Sequence, residues 1–358
     1  MLEAGAWGAK VQSCRMFAYS SRTLVFCPQA VQGCIVLLSG DSTMTHLHPT
    51  RDKRQQQLIT LLDELAPLEG YTLTALPRVR LLRSNRPLER APVLYDPGIV
   101  MVCQGRKIGH WGDETFIYDA QQCLVVSVPV PFTMATDASA DEPLLAVYFH
   151  LDFALLGELV LQLDEQRPPA PSLPKGMYSS PMDDGLKDSL LRFLQALNSP
   201  VESAVLGPAL EREIYFRILM GEQGGSLRAA LEEQGRFGRV SKAIRKIHSS
   251  FAQALDVDEL AREANMSVTR FHAHFKAVTH TSPMQYVKST RLHQARLLML
   301  RNGMTASVAS AAVGYESPSQ FSREFKRLFG RSPTDEVARL QGSFALPAQV
   351  NSMYVSSH

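Results

Sequence analysis

With 358 residues, 45% of them hydrophobic and 20% charged, the chain has the composition of an ordinary soluble globular protein and room for two separate cores. No run approaches the roughly 18 apolar residues that would span a bilayer, and the first ten residues lack a basic start followed by an apolar stretch, so neither a membrane helix nor a secretory signal is expected. The formal charge of +2 hides an asymmetry: residues 236–340 hold 17 Lys and Arg against 8 Asp and Glu, a net of +9, and the rest of the chain carries −7.

Residues 1–43 show no sustained periodicity and contain Cys14, Cys27 and Cys34. They read as disordered or as an over-long gene start, with translation beginning at Met44. From Met44, MTHLHPTRDKRQQQLITLLDELAPLEG places Leu58, Leu61, Leu62 and Leu65 at helical spacing, giving a helix and lead-in over 44–75. Between Leu76 and Phe149 come RVRLLRS, APVLY, GIVMVCQ, RKIGHW, ETFIYD, CLVVSVPV, FTMAT and LLAVYF, short runs rich in Val, Ile, Leu and Tyr. Turn pairs such as Gln104-Gly105 and Gly112-Asp113 separate them, and the even spacing predicts an antiparallel barrel or sandwich of the jelly-roll type. Gln166–Lys175 is a proline-rich connector. Helices are expected over 184–197 and 208–220, the second opened by Pro208 and closed by Gly221. Either helix could cover the barrel or pair two chains as a homodimer. A further helix begins at Gly224-Gly225, and Gly235 and Gly238 mark a boundary. The first domain is therefore expected over 76–234, a basic second domain over 236–340, and a flexible tail over 341–358.

The basic region writes one pattern twice. SVTRFHAHFKAVTHTSP, from Ser267, matches SPSQFSREFKRLFGRSP, from Ser317, at an offset of 50 residues: Phe271 falls on Phe321 and Phe275 on Phe325. Each copy has a short helix of small and apolar residues (Leu260, Ala261, Ala264; Val308, Ala309, Ala312), a tight turn and a serine-capped amphipathic helix. That is a helix-turn-helix, expected at about 257–278 and 305–328. With Phe271, Phe275 and Val278 facing a core, Thr269, His272, Ala273 and Lys276 lie on the opposite stripe. In the second copy Phe321, Phe325 and Leu328 point inward, leaving Ser319, Ser322, Arg323 and Lys326 outside. Such faces suit base edges and phosphates in a major groove. Thr269, His272, Ser319, Gln320 and Arg323 read as base contacts, and Arg270, Lys276, Lys326 and Arg327 as phosphate clamps. PMQYVKSTRLHQARLLML between them forms a long helix able to hold two reading heads about 34 Å apart, one turn of double-stranded DNA. One copy alone would read as an ordinary pair of packed helices.

At this point LAREANMSVTRFHAHFKAVTHTSPMQYVKSTRLHQARLLML with VASAAVGYESPSQFSREFKRLFGRSP resembles the DNA-binding domain of the AraC/XylS transcriptional regulators. The resemblance implies Thr269, His272 and Ala273 in the first recognition helix, and Pro318, Ser319, Gln320 and Arg323 in the second, at base-facing places. Upstream, LPRVRLLRSNRP, YDPGIVMVCQGRKIGHWGDETFIYDAQQCLVVSVPVPF and SADEPLLAVYFHLD resemble the N-terminal domain of one AraC subfamily, similar to cupin-like barrels that sense small molecules or mediate dimerisation. The fold expected is α+β in two domains: a cupin-like antiparallel β-barrel with covering helices, then an all-α double helix-turn-helix domain. The function expected is cytoplasmic, sequence-specific transcription regulation under a small-molecule or redox signal. The resemblance also implies RNA polymerase as a partner. Activation and repression both stay open.

Two rivals use the same residues differently. A metal-dependent cupin enzyme needs several imidazoles and a carboxylate converging inside the barrel. Only His110 and His150 lie between Leu76 and His150, while His46-Leu47-His48 precedes the barrel. His272 and His274 stand about 200° apart around a helix and cannot chelate together. No metal, cofactor or catalytic residue is therefore expected. A thiol-based DNA-repair protein would need paired cysteines or an activated thiol, and Cys103 and Cys123 sit inside strand-like runs as small hydrophobes. Five cysteines without metal-ligand spacing fit a reducing compartment.

Overall fold

A strand whose every residue is buried must lie between two layers, and two strands here do. The computed structural model describes residues 53–166, 175–231 and 236–341, together with the backbone of three strands between residues 15 and 37. The chain divides into two units, Met1–Lys53 and Arg54–His358. In the first, β1 (Arg15–Tyr19), β2 (Arg22–Phe26) and β3 (Val36–Leu37) pair antiparallel, in a stretch where the sequence shows no alternation. The start at Met44, Cys14, Cys27, Cys34, the 167–174 connector and the tail from residue 342 lie outside the described residues.

The second unit carries all of α1 (Lys53–Leu65) but its first residue, then β4 (Gly70–Leu73), β5 (Val79–Ser84), β6 (Leu88–Tyr95), β7 (Gly98–Gln104), β8 (Arg106–Trp111), β9 (Glu114–Tyr118), β10 (Gln122–Val126), β11 (Val130–Asp137) and β12 (Leu144–His150). After α2 (Phe153–Gln166) comes β13 (Met177–Pro181). A six-stranded sheet runs β13-β10-β7-β12-β5-β4 and a four-stranded sheet β6-β11-β8-β9, with every pairing antiparallel.

All seven residues of β7 and of β12 are buried, because successive side chains leave opposite faces. Val100, Val102, Ala146 and Tyr148 meet Phe132 and Met134 of the other sheet. Ile99, Met101, Val147 and Phe149 meet α1, α2, α3 (Asp184–Leu197) and α4 (Pro200–Met220) on the far side. The fold is thus α+β: an antiparallel β-sandwich of the cupin-like type covered by helices, followed by a helical region. Among the described residues, no helix is long and apolar enough to cross a membrane.

Sequence periodicity placed eight strands, but β4, β13 and α2 escaped it. One helix start needs correction. The helix expected from Pro208 begins at Pro200, where the Ser199 hydroxyl accepts from the Glu202 amide at 3.3 Å. Pro208 stands inside that helix, and the Ala204 carbonyl, to which it has no N–H to donate, belongs to an exposed turn that water can reach. After α5 (Gly224–Leu231) the chain is helical to its described end: α6 (Arg236–Ser250), α7 (Val257–Glu263), α8 (Val268–Thr279), α9 (Pro283–Asn302), α10 (Ala306–Ala312), α11 (Pro318–Phe329) and α12 (Pro333–Gln341).

Candidate nucleic-acid interface

Local chemistry makes each helix-turn-helix unit separately. Asp256 caps α7 by accepting from the Glu259 amide at 2.7 Å, and Thr305 caps α10 by accepting from Val308. The two turns need left-handed backbone. Asn265 supplies it in the first (φ 50°) and Gly314 in the second (φ 84°), where any side chain would strike the Ala252 carbonyl. The serines that open α8 and α11 differ. The Ser317 hydroxyl accepts from the Gln320 amide at 3.3 Å, whereas Ser267 holds the cap position without a side-chain hydrogen bond.

The two units have separate cores, joined by α9. Phe271, Phe275 and Val278 pack with Leu260, Ala261, Ala264, Tyr286 and Val287. Phe321, Phe325 and Phe329 pack with Leu292, Met299, Ala309 and Tyr315. The first turns of α9 thus belong to one core and its middle to the next, so a helix of about 30 Å fixes their separation. Leu297 turns instead toward Leu94 of the sandwich.

Thr269, Arg270, His272, Ala273 and Lys276 are exposed on α8, and Pro318, Ser319, Gln320, Ser322, Arg323, Lys326 and Arg327 on α11. The two helices therefore bring the residues singled out from the sequence to the solvent side of their phenylalanine cores. Arg327 also lines a cleft of about 280 Å³ with Trp111, His280 and Lys288.

Sequence reasoning missed how the sandwich meets this region. Trp111, at the end of β8, donates from Nε1 to the Thr279 carbonyl at 3.2 Å and stacks on His280, with ring centroids 3.9 Å apart and planes 12° from parallel. His280 ends α8 in the left-handed conformation (φ 53°), the place that Gly330 (φ 77°) takes in the second unit. A non-glycine residue there is strained, and the indole covers it. Tyr286 of α9 donates to the Pro129 carbonyl at 2.9 Å. The last turn of α8 is thereby held by the sandwich.

A cavity of about 120 Å³ opens in the sandwich, lined by Leu82, Val93, Met134 and Leu144, and closed by Arg296 and Leu297 of α9. Lys107 projects into it with 2% of its surface exposed. Its ammonium meets the Tyr95 hydroxyl at 3.1 Å and the Met134 sulfur at 3.7 Å, with no carboxylate in salt-bridge reach among the described residues. Burial pushes its pKa down to about 7.

Among the described residues no three His, Cys, Asp or Glu side chains come together as a metal site. His110 bonds Thr115 at 3.1 Å, while buried His150 lies 3.4 Å from Asp96 and is pushed down to about 3 by burial. Cys103 and Cys123 are buried and pushed up to about 12 by burial, so neither is a thiolate near neutral pH.

Residues 75–226 match the family model described as AraC-type transcriptional regulator N-terminus, and residues 260–339 match a helix-turn-helix domain. The Msm operon regulatory protein of Streptococcus mutans is 27% identical over 168 residues, 44% of this chain and 57% of that protein. The transcriptional regulator AlkR of Acinetobacter baylyi is 32% identical over 94 residues, 26% of this chain and 31% of the relative. The chain thus spans between about a third and somewhat over half the length of these relatives. ToxT of Vibrio cholerae, in a crystal structure bound to (E)-4-(8-methylnaphthalen-1-yl)but-3-enoic acid, superposes with a TM-score of 0.54 at 11% identity, covering 76% of this chain and all of the other. At that identity the likeness is one of fold.

Proposed function

The chain belongs to the AraC-type transcriptional regulators, and from that premise we propose that it binds double-stranded DNA sequence-specifically through α8 and α11 in successive major grooves. The observation that carries this is the pair of exposed polar and cationic faces set on one stiff helix. Thr269, His272, Ser319, Gln320 and Arg323 read bases; Arg270, Lys276, Lys326 and Arg327 hold phosphates. The protein acts by binding rather than by catalysis, with RNA polymerase as a further partner.

Arg323 and Lys326 separate the two roles. Arg323→Ala should weaken binding to the true operator by about 1–3 kcal/mol and relax the preference at one or two base pairs. Lys326→Ala should weaken operator and random DNA alike and lower the salt slope by about one unit. Titration of both variants on operator, single-base variants and random duplex decides it. Equal loss for Arg323→Ala on all three would make Arg323 a phosphate contact and rotate the reading face.

The signal is a small molecule in the sandwich cavity. A void of about 150 Å³ accepts benzene and this one of about 120 Å³ is somewhat smaller, so the effector is small, of about one ring or a short chain, and the Lys107 ammonium asks for an acid group. ToxT, of like fold, was crystallised with an organic acid. An anion favours protonated Lys107, so benzoate should bind fully below pH 7 and lose about tenfold in affinity per pH unit above it. Calorimetry with benzoate, and with benzyl alcohol as its neutral counterpart, tests this. Binding that is independent of pH, or equal for the alcohol, or unchanged in Lys107→Met, would remove the acid from the proposal.

A further inference from the structure

We infer that Glu324 is a positioning residue for DNA recognition: it orients the Gln320 amide and so fixes the base that Gln320 reads. The inference rests on the reading of α11 as a DNA-contacting helix.

Glu324 lies one helical turn beyond Gln320 and is only 16% exposed at its side chain, although its neighbours Arg323 and Lys326 are exposed. Three donors from three parts of the fold converge on its carboxylate. Lys288 of α9 donates to Oε1 at 2.9 Å, the Tyr315 hydroxyl in the turn before α11 donates to Oε2 at 2.8 Å, and Gln320 Nε2 donates to Oε1 at 3.2 Å. Burial alone would raise the Glu324 pKa, but the hydrogen bonds from Lys288, Tyr315 and Gln320 outweigh it and hold the carboxyl below its usual range. The side chain is therefore an anion fixed from two other elements, not a mobile surface carboxylate.

An ionised carboxylate only accepts hydrogen bonds, so the part of the Gln320 amide that faces it must be the NH2 group. That removes the ambiguity a free surface glutamine has. One N–H is committed to Glu324, and Oε1 with the remaining N–H is left to a partner. A base matched to this pair offers a donor beside an acceptor in the major groove. Adenine does so with N6–H and N7; cytosine offers the N4–H donor alone, and guanine and thymine offer no such donor. A freely flipping amide could turn its NH2 toward the guanine or thymine acceptors. Held by Glu324, Gln320 should read adenine first, cytosine second, and reject the other two. Because Lys288 and Tyr315 hold Glu324, the choice is made by the linker helix and the turn as well as by the reading helix.

Selection of randomised duplexes by the full chain, with sequencing of the bound fraction, tests this in four proteins: wild type, Gln320→Ala, Glu324→Ala and the double variant. The wild type should show one position where adenine is favoured over guanine and thymine by roughly tenfold or more. Gln320→Ala should level that position. Glu324→Ala should level most of it too, although Gln320 is still present, and should leave preferences set by Arg323 in place. The double variant should lose no more at that position than Gln320→Ala does. Thermal melting of each protein separates the effect from unfolding, since general destabilisation lowers all preferences together. Guanine or thymine at the Gln320-dependent position would overturn the inference. So would an unchanged preference in Glu324→Ala, or losses at different positions in the two single variants. Failure of the wild type to enrich any sequence would overturn the DNA-binding reading itself.

Discussion

Glu336→Ala should destabilise the helical region by about 3–5 kcal/mol, the cost of leaving a buried charge without its partner. Arg296 of α9 and Glu336 of α12 are 6% and 2% exposed at their side chains, and their charged atoms lie 3.3 Å apart. Arg339 adds a second contact to Glu336 at 3.0 Å. Burial pulls the Arg296 guanidinium down to about 10 even though Glu336 favours its charge. Without the carboxylate, Arg296 would lose its 3.3 Å ion pair, while the Phe329 ring, 4.5 Å from its guanidinium carbon, and the His293 nitrogen at 3.5 Å are not carboxylates and cannot replace it. Urea unfolding of wild type, Glu336→Ala and Glu336→Gln measures it. The glutamine variant, which still accepts a hydrogen bond, should lose less. A loss under about 1 kcal/mol in the alanine variant would mean that water reaches Arg296 and the pair is not dry. Since Arg296 also closes the Lys107 cavity, the alanine variant should weaken benzoate binding as well.

Affinity for duplex DNA should fall about 150-fold between about 50 and about 200 mM salt. The figure follows from the four phosphate contacts proposed, Arg270, Lys276, Lys326 and Arg327, each adding about −0.9 to the slope of log K against log salt. Removing Arg270 and Lys276 together should bring the slope to about −1.8 and the loss over the same range to about twelvefold. Titration of the full chain against a fixed duplex at five or more salt concentrations gives the slope directly. A slope near zero would contradict DNA binding through these faces. A wild-type slope steeper than about −6 would add further cations to the interface, with Arg239, Lys242 and Arg245 of α6 the first to examine.

The sandwich strands were legible because alternation is a local property: Ile99, Met101 and Cys103 against Val100 and Val102 already declare two buried faces. The repeat was legible for the same kind of reason, since Phe271 and Phe275, then Phe321 and Phe325, mark an inner stripe that leaves the outer one to function. Shorter or mixed signals failed. β4 and β13 are only four and five residues long, and Pro208 looked like a helix start while the real start, Ser199 with Pro200, lay eight residues earlier. The exposed side chains of α8 and α11 were placed on the outer face by type and spacing, but their partners were not foreseen. Gln320 and Glu324 are visibly one turn apart, yet nothing local says that Lys288 and Tyr315 meet the same carboxylate.

What the amino-acid sequence determined by itself was therefore whatever depends on neighbours within about one turn or one strand: element type, the inward stripe, the helix-turn-helix repeat and the charge on its outer face. Tertiary structure alone decided which distant groups meet. Trp111 covers the strained end of α8 at His280, 169 positions away in the chain. Lys107 faces a largely apolar cavity between the sandwich and α9, where its ammonium meets the Tyr95 hydroxyl and, among the described residues, no carboxylate in salt-bridge reach, although Glu89 lines the same cavity. Periodicity carries the direction in which a side chain leaves its own backbone; what it then meets is set by the packing of several elements at once, and a pKa or a hydrogen bond depends on that meeting.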